Sequence, residues 1–362
     1  MSDVLFTGFP GFLGSELLPR VLARDPGFRA LCLIQSRFAD LALQRLAELD
    51  AKHPGLASRV ELLEGDITEQ DLGLAEVENI VPGISEIYHL AAVYDLSVTR
   101  KVAIAVNVEG TRRMLRFAER CPDLDRFQYV STCYVSGRYA GLYSENDLDR
   151  GQVFNNFYEE TKFLAEVEVQ TWRDQGLPAT IYRPAIVVGD SQTGATQKLD
   201  GPYFIIRWLL RQPALAVLPV VGDPTAVRVN LVPRDFVVDA IAHLSGLEES
   251  AGKVYQLADP DALTVAELLE EIELATGRTV LRLPLPLGLT KLALDYVPGV
   301  YQLVQIPAAA IDYFVHPTHY TSDNTRADLA GTGIAAPPIR TYLQRLVDFV
   351  RSHPEADLGA LV

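Results

Sequence analysis

A short apolar segment, Val4-Leu5-Phe6, runs directly into Thr7-Gly8-Phe9-Pro10-Gly11-Phe12-Leu13-Gly14 and then into a helical pattern. A strand, three glycines at three-residue spacing and a helix together form the arrangement that holds the pyrophosphate of a dinucleotide. We expect Gly8 to permit the tight turn and Gly11 to let the backbone approach the phosphates, while Gly14 lets the helix pack against the strand. The segment therefore predicts a nucleotide-binding βαβ unit.

The composition describes a large acidic chain. With 362 residues and 48% hydrophobic content, it can bury a sizeable core. The formal net charge of -15 argues against a nucleic-acid partner, because phosphate binding needs a basic surface. Apolar stretches are broken by charged residues and prolines, so we expect no membrane-spanning helix, although peripheral membrane contact stays open.

The start of the chain and its cysteines indicate a cytoplasmic protein. The first residues lead straight into the first strand and leave no room for a signal peptide. The three cysteines, Cys32, Cys121 and Cys133, are an odd number without metal-ligand spacing, so we expect free thiols in a reducing compartment.

Strand and helix patterns alternate through the first half of the chain. This rhythm predicts an α/β fold of the Rossmann type, a doubly wound parallel sheet covered by helices on both faces. The predicted strands are Val4–Phe6, Ala30–Ile34, Val60–Leu63, Ile87–Leu90, Arg126–Ser131 and Ala179–Arg183. The predicted helices among them are Ser15–Arg24, Ala39–Lys52 and Asn107–Arg120. Ligands of such sheets bind beyond the carboxyl ends of the strands.

The rhythm weakens after about residue 185, where prolines and glycines become dense. We predict a nucleotide-binding domain over residues 1–185, to which residues 228–250 return. A smaller, interleaved C-terminal α/β region over 186–227 and 251–362 is predicted to hold the substrate. Two helices are expected in it, Thr264–Thr276 and Arg340–His353.

The strongest chemical signal is the pair Tyr158 and Lys162 in Tyr-Glu-Glu-Thr-Lys. Four residues apart on a helix, the two side chains project from one face. An ammonium beside a phenol favours the phenolate, so we expect Lys162 to lower the pKa of Tyr158 toward working pH. Tyr158 is then a general acid or base for a substrate oxygen, and Lys162 can also hydrogen-bond a cofactor ribose.

A partner hydroxyl is expected at the end of the fifth strand, in Tyr129-Val130-Ser131-Thr132. A hydroxyl there can donate to the oxygen that Tyr158 contacts and stabilise its developing charge. Strand alternation points Ser131 and Thr132 to opposite faces, so only one of them can do so.

Taken together, these motifs resemble the extended short-chain dehydrogenase/reductase superfamily, which is also typified by the GxxGxxG spacing of the first loop. The matching segments are Thr7–Gly14, His89–Ala92, Asn107–Thr111, Ser131-Thr132, Tyr158–Lys162 and Tyr182–Pro184. Within the superfamily, three segments are similar to the fatty acyl-CoA reductase branch, which includes the thioester-reductase domains of carboxylic acid reductases and peptide synthetases. They are Gly11–Gly14, Val130-Ser131-Thr132-x-Tyr134-Val135 and Asn230-Leu231-Val232-Pro233-x-Asp235-Phe236-Val237.

The resemblance implies a role for each matching position. It makes Thr132 the catalytic hydroxyl, because this residue stands five positions before Gly137, and it makes Tyr158 and Lys162 both catalytic and cofactor-binding. The other implied cofactor contacts are Gly8, Phe9, Pro10, Gly11, Phe12 and Leu13 at the pyrophosphate, Asp66 and Ile67 at the adenine, Ala91, Ala92 and Val93 around the nicotinamide ribose, and Pro184, Ala185 and Val187 beside the nicotinamide. Asn107 is a further implied cofactor contact.

The end of the second strand decides between NAD(H) and NADP(H). An acid there would hold the ribose 2′-hydroxyl, whereas the chain reads Gln35-Ser36-Arg37. Ser36 and Arg37 fit a 2′-phosphate, so NADP(H) is favoured. The resembling reductases often carry arginine where this chain has Gln35, and a solvated surface cation is the alternative for Arg37.

Several singled-out residues have structural alternatives. Asp66 can cap the helix after it, a role for which Thr68 competes. His89 is expected to be a hydrogen-bonded strand-end histidine rather than a catalyst. His316 and His319 are not expected to bind a metal, since no Cys or carboxylate is suitably spaced. The apolar 281–315 region is either an acyl-chain tunnel or ordinary core.

The resemblance implies a reductase that moves hydride from NADPH to a carbonyl carbon. Its substrate would be a small molecule, a fatty acyl thioester of CoA or a carrier protein, reduced to an aldehyde or alcohol. Two alternatives share the scaffold: a dehydrogenase of a large hydrophobic, sterol-like alcohol and a nucleotide-sugar epimerase. The superfamily leaves a monomer or a homodimer open.

Overall fold

The computed structural model describes residues 2–94, 98–296, 307 and 311–354. Its strands are β1 (Ser2–Thr7), β2 (Phe28–Ile34), β3 (Val60–Glu64), β4 (Ile84–His89), β5 (Arg126–Val130), β6 (Gly141–Tyr143), β7 (Ala179–Pro184), β8 (Ile186–Val188), β9 (Leu215–Val221), β10 (Leu231–Pro233), β11 (Val254–Leu257), β12 (Thr279–Leu285) and β13 (Thr318–Tyr320).

The α-helices alternate with these strands. They are α1 (Gly14–Arg24), α2 (Ala39–Lys52), α3 (Val77–Ile80), α4 (Arg100–Ala103), α5 (Gly110–Glu119), α6 (Phe157–Asp174), α7 (Pro202–Leu210), α8 (Arg234–Leu244), α9 (Val265–Thr276), α10 (Leu287–Tyr296), α11 (Asp323–Asp328) and α12 (Leu343–Ser352). A π-helical turn, Ile104–Glu109, leads into α5.

Seven parallel strands form the central sheet, in the order β11-β7-β5-β4-β1-β2-β3. All six strands predicted from the sequence lie in it, and the predicted Rossmann-type fold class is confirmed. The seventh strand, β11, comes from beyond residue 250 and pairs with β7 at the sheet edge. The two-domain boundary itself stays a prediction.

Both faces of the sheet are covered. On one face, Val4 and Phe6 of β1 belong to a core with residues of α1, α2 and α8. On the other face, Leu5 packs with residues of α5 and α6. The alternation of a buried parallel strand therefore sends adjacent apolar side chains into two cores. Because α8 lies against α1, residues 234–244 pack on the nucleotide fold.

A third core joins α7, α9 and α12 to strands β8, β9 and β10. The helices predicted near residues 264–276 and 340–353 are present as α9 and α12. α9 begins with a complete capping box, in which Thr264 and Glu267 each accept from the other's backbone N–H. This capping fixes the N-terminus of the helix.

The apolar 281–315 region is only partly described. Its described strand, β12, pairs with β9, and Leu281, Leu283 and Leu285 are exposed, so these three side chains are not core. Residues 297–306 and 308–310, on which the tunnel prediction also falls, lie outside the described residues. In the described part of the chain, no helix has the length and apolar character needed to cross a bilayer.

Candidate active site

The glycine-rich loop after β1 forms a cradle that only glycine can build. Gly8 has φ +88°, and a Cβ added to it would lie 2.9 Å from the Leu90 Cβ. Cβ atoms added to Gly11 and Gly14 would lie 2.7 Å and 2.5 Å from the Gly8 carbonyl oxygen. The Gly11 N–H donates to that oxygen at 2.9 Å. The loop thus packs tightly on itself at the N-terminus of α1, which fits a dinucleotide pyrophosphate.

Two cations that the sequence analysis missed lie beside this loop. The Arg234 guanidinium sits 5.1 Å from the centroid of the Phe12 ring, and Lys198 Nζ sits 5.5 Å from it. Lys198 Nζ also lies 4.6 Å from the centroid of the Tyr94 ring. Both cations come from beyond residue 185, where local sequence patterns carry no signal that they reach the loop. Each is paired with a carboxylate, Arg234 with Glu16 at 3.6 Å and Lys198 with Asp200 at 3.1 Å, so they offer N–H donors rather than net positive charge beside the predicted pyrophosphate position.

His89, the last residue of β4, is held on both sides. Its Nδ1 lies 2.9 Å from the Thr7 hydroxyl and its Nε2 lies 3.0 Å from the Thr111 hydroxyl. Burial, together with the charge of Lys162, lowers the pKa of His89 to about 3. A neutral, fully hydrogen-bonded imidazole is a structural group, as predicted.

Asn107 positions the segment that follows β4. Its side-chain oxygen accepts from the Val93 N–H at 2.8 Å, and its amide nitrogen donates to the Val93 carbonyl at 2.9 Å. The second amide N–H donates to the Thr161 hydroxyl on α6 at 3.0 Å. Both amide N–H groups are therefore used within the protein. Asn107 ties the predicted ribose-lining segment 91–93 to the helix that carries Tyr158.

Ser131 and Thr132 point to opposite sides, as strand alternation predicts. The Ser131 hydroxyl donates to Glu166 at 2.5 Å, inside a buried ion pair in which Arg183 and Glu166 lie 2.6 Å apart. The Thr132 hydroxyl instead hydrogen-bonds the Tyr158 phenol and donates to the Pro184 carbonyl at 3.3 Å. Only Thr132 therefore shares the space in front of Tyr158.

The pKa of Tyr158 differs from the sequence-based expectation. Burial raises it to about 12, although the hydrogen bond with Thr132 acts in the opposite direction. Lys162 does not lower it, because its ammonium donates to the Tyr129 hydroxyl at 2.9 Å and to the Val130 carbonyl at 2.8 Å. Desolvation outweighs the helical proximity of the two residues.

Lys162 is itself perturbed. It is 3% exposed, and burial lowers its pKa to about 7 while the nearby Glu166 carboxylate opposes that shift. An ammonium has three N–H donors, and two are used by Tyr129 and Val130. The third is available for the predicted cofactor ribose.

The predicted nicotinamide side follows directly from β7. Residues Pro184, Ala185 and Val187 run past Thr132, and the Ala185 N–H donates to the Leu257 carbonyl at 3.0 Å. Because β11 holds this segment in place, its backbone position is fixed by the edge of the sheet.

The residues predicted to contact the adenine are Asp66 and Ile67. Asp66 accepts from the Thr68 N–H at 2.7 Å and from the Gln35 amide at 2.6 Å. Its carboxylate thus closes a turn with Thr68 and does not cap a helix, because the helical turn that follows begins at Gln70, after Glu69, without a side-chain cap. Ile67 packs in the core against Gly110, where an added Cβ would lie 2.8 Å from the Ile67 Cδ1.

Ser36 and Arg37 are exposed at the end of β2, where the sequence predicted them. The Ser36 hydroxyl donates to Glu64 at 2.5 Å. Arg37 donates to the Gln35 side-chain oxygen at 2.8 Å and lies 4.7 Å from the centroid of the Phe38 ring.

An aromatic cluster beside Thr132 was not foreseen. Tyr134 packs edge-on against Tyr313, with ring centroids 4.7 Å apart, and against His316 at 4.9 Å. His316 Nε2 lies 2.8 Å from the Tyr320 hydroxyl, which explains its position without a metal. In the described residues no group of three or more His, Cys, Asp or Glu side chains could hold a metal ion. Cys32, Cys121 and Cys133 are buried with free thiols.

Comparison with known proteins agrees with this geometry. Residues 6–241 match the NAD-binding family described as "Male sterility protein". The chain is 28% identical to a linear gramicidin synthase protein of Brevibacillus parabrevis over 283 residues, 74% of this chain and 5% of that protein. It is 27% identical to fatty acyl-CoA reductase wat of Drosophila melanogaster over 277 residues, 66% of this chain and 53% of that protein.

A solved structure is similar along nearly the whole chain. The terminal R domain of the myxalamid PKS-NRPS pathway superposes with a TM-score of 0.83 at 27% identity, covering 99% of this chain and 92% of that one. The chain thus spans most of an isolated reductase-type domain but only part of the longer curated relatives. It belongs to the NAD-binding male sterility protein family, a branch of the extended short-chain dehydrogenase/reductase superfamily, and is an NAD(P)-dependent oxidoreductase of that type.

Proposed function

We propose that this protein is an NADPH-dependent reductase that transfers hydride to the carbonyl carbon of an acyl thioester. The observation that supports it most is the division between two adjacent hydroxyls: that of Ser131 is bound to buried Glu166, whereas that of Thr132 hydrogen-bonds the Pro184 carbonyl and influences the pKa of Tyr158. Thr132 has one hydroxyl hydrogen, which it donates to the Pro184 carbonyl in this structure. It would turn that hydrogen, beside the Tyr158 phenol, to a substrate oxygen that gains negative charge.

The cofactor fits the residues present. The cradle of Gly8, Gly11 and Gly14 leaves room for phosphates only because no Cβ fills it. When bound, NADPH supplies the hydride. We assign Lys162 to the cofactor ribose through its third N–H and the Pro184–Val187 backbone to the nicotinamide side.

The protein side chains then handle the oxygen and the proton. As the carbonyl carbon accepts a hydride, its oxygen becomes an oxyanion that receives a hydrogen bond from Thr132 and a proton from Tyr158. When the carbon–sulfur bond of this hemithioacetal breaks, its own hydroxyl loses the proton and re-forms the carbonyl of an aldehyde, and the sulfur takes that proton and leaves as a thiol. The Tyr158 phenolate regains its proton from water. One hydride and one proton are consumed per aldehyde and thiol released.

The protonation state of Tyr158 favours the reductive direction. With its pKa raised to about 12 by burial, the phenol holds its proton at neutral pH. A protonated phenol can give a proton to an oxyanion, whereas alcohol oxidation requires a phenolate to accept one. This supports a reductase over the dehydrogenase of a sterol-like alcohol. Gln35, in the place of an acid after β2, argues against an epimerase that retains NAD.

Two further features support the substrate class and the cellular setting. The thioester is proposed because one relative is named a fatty acyl-CoA reductase and the similar R domain belongs to a PKS-NRPS pathway. The three free thiols support a reducing, cytoplasmic compartment.

The proposal is tested by following NADPH oxidation with acyl-CoAs of increasing chain length, with NADH in parallel. We expect turnover that depends on acyl length and is faster with NADPH. Binding of NADPH without turnover on any acyl-CoA or on the acyl thioester of a carrier protein would refute the thioester and move the assignment to alcohol substrates. Retention of tightly bound NAD would revive the epimerase.

A further inference from the structure

A carboxylate from β3, that of Glu64, lies at the end of the nucleotide site where the adenosine is proposed to bind. Glu64 is the last residue of β3 and pairs in register with Ile34, the last residue of β2. Its Oε1 accepts the Ser36 hydroxyl at 2.5 Å. An acid therefore stands beside the residues that follow β2, although none occurs within Gln35–Arg37.

The position of Glu64 relative to a bound nucleotide follows from the sheet. β1, β2 and β3 are adjacent and parallel, so the cradle after β1 and the ends of β2 and β3 share one edge. An adenosine ribose that extends from a pyrophosphate in the cradle reaches the end of β2 with its 2′ position toward the following residues. A 2′-phosphate at Ser36 and Arg37 would then lie next to the Glu64 carboxylate.

We propose that Glu64 restricts the preference of this site for a 2′-phosphate, so that the protein discriminates NADPH from NADH less than Ser36 and Arg37 alone would allow. This inference rests on the proposed placement of the 2′-phosphate at Ser36 and Arg37. Glu64 acts in two ways. It occupies the Ser36 hydroxyl, the nearest neutral donor, and its charge repels a phosphate that carries close to two negative charges at neutral pH.

Neighbouring charges do not cancel this effect. Arg37 donates its Nε to Gln35 rather than to Glu64, and Gln35 donates in turn to Asp66. The Arg37 guanidinium, which would bind the phosphate, is thus held by the neutral Gln35 amide and not by Glu64. The Glu64 carboxylate accepts from Ser36 instead. Because Glu64 is exposed, its repulsion should weaken as salt screens it.

The test measures binding rather than turnover. Dissociation constants of NADPH and NADH are determined for the wild type and for Glu64→Gln, which keeps an acceptor for Ser36 and removes the charge. We expect NADPH to bind about threefold to tenfold more tightly to the variant, with NADH changed by less than about twofold. The NADPH gain should shrink at high ionic strength.

A matched control comes from the same strand. Glu61 is exposed on β3, three residues earlier, where it lies 3.4 Å from Arg29, so Glu61→Gln removes the same charge away from Ser36. We expect that variant to bind both nucleotides as the wild type does. Ser36→Ala should cost NADPH affinity more in a Glu64→Ala background than in the wild type, because alanine removes the acceptor and only there is the Ser36 hydroxyl released.

The outcomes separate this inference from the proposed function. An unchanged NADPH/NADH ratio in Glu64→Gln, or an equal gain in Glu61→Gln, would overturn it. Weaker NADH binding with unchanged NADPH binding would make Glu64 the acceptor of the ribose 2′-hydroxyl and overturn it too. If Arg37→Ala leaves NADPH binding unchanged, the proposed phosphate placement fails. If acyl-CoA is not reduced while NADPH still binds, only the proposed acyl-CoA substrate is refuted, and the inference about Glu64 is unaffected.

Discussion

The two ends of the nucleotide site are built differently. At the catalytic end, Thr132 is 5% exposed and Lys162 3% exposed, and both hydrogen-bond strand backbone. At the adenosine end, Ser36, Arg37 and Glu64 are exposed and Ser36 and Arg37 bond side chains on the surface. The proposed catalytic groups are therefore positioned by the core, whereas the proposed preference for NADPH would depend on a few charges that solvent screens. Conservative substitutions on the surface should therefore leave turnover unchanged but alter the relative affinities for NADPH and NADH.

The largest effect is expected from Tyr158→Phe, which removes the proton donor and keeps the ring. Turnover should fall by about 10²–10⁴-fold, while NADPH binding changes little, because the cradle is untouched. Acyl-CoA-dependent NADPH oxidation measures the turnover, and NADPH titration measures the affinity. Tyr139→Phe is the control: its phenol packs against the Arg150 guanidinium, away from Tyr158, and the variant should keep wild-type turnover. Equal losses in both variants would contradict the assignment.

The adjacent hydroxyls give the next test. Thr132→Val should lower turnover by about 10²–10³-fold through loss of one donor to the oxyanion. Ser131→Ala should instead lower the free energy of unfolding by about 1–3 kcal/mol, because buried Glu166 loses a hydrogen bond. Steady-state kinetics measures the loss of turnover, and urea unfolding measures the loss of stability. Thr171→Val, at an exposed position of α6, is the control and should affect neither quantity. Reversed results would exchange the roles of Ser131 and Thr132.

Breaking the ion pair beneath the site should act on stability. Both side chains of Glu166 and Arg183 are 0% exposed, so Glu166→Gln leaves a buried guanidinium without its counter-charge. The free energy of unfolding should drop by about 3–5 kcal/mol, measured by urea denaturation. Glu168→Gln, on the same helix but partly exposed against Arg112, should cost less than about 1 kcal/mol. A drop as small as that of the control would show that the pair contributes little.

At the exposed end, Arg37→Ala should weaken NADPH binding by about tenfold or less and leave NADH binding unchanged. Fluorescence titration of both nucleotides checks this. Arg116→Ala removes an exposed arginine from α5 and should leave both affinities as they are. An equal loss for NADH and NADPH would mean that Arg37 does not recognise a 2′-phosphate.

The smallest effect concerns pH and lies at the catalytic end. Burial, together with the charge of Asp312, raises the pKa of Glu159 from its ordinary 4.5 to about 7. The folded protein therefore holds this proton over a range where the unfolded chain has released it. The contribution of Glu159 to stability should fall as pH rises from about 4.5 to about 7 and stay low above that.

Unfolding of wild type and Glu159→Gln across this range measures that contribution. The glutamine cannot ionise, so the stability difference between the two proteins should shift in favour of the variant as pH rises. Glu160→Gln, next in sequence and paired with Arg100, is the control and should show no such trend. A parallel pH dependence of all three proteins would refute the role of Glu159.

Much of this architecture could be predicted because it is local. The Gly8–Gly14 cradle, the alternating strands and the Tyr158–Lys162 spacing each depend on residues within a few positions of one another. The opposite directions of Ser131 and Thr132 follow from the geometry of a strand. The resemblance added the choice of Thr132 as the catalytic hydroxyl, which stays a prediction.

Contacts between distant segments could not be predicted. Tyr313 reaches Tyr134, and Arg234 reaches Phe12, across long stretches of chain that periodicity does not relate. The pKa of Tyr158 was predicted in the wrong direction, because spacing reveals a nearby charge but not the degree of burial. The Lys162 ammonium was also assigned to the wrong neighbour, since its partners Tyr129 and Val130 belong to β5.

Strand β11 has a consequence for how the protein is made on the ribosome. Since β7 pairs with β11, the sheet stays one strand short until residues Val254–Leu257 have been synthesised and have left the exit tunnel. Until then β7 presents unpaired backbone groups, which invite pairing with other nascent chains. Asp328, which accepts from Lys253 at 2.7 Å and from Tyr255 at 2.6 Å, arrives later still. A recombinant fragment cut at the end of the predicted nucleotide-binding segments would retain that open edge permanently and should aggregate.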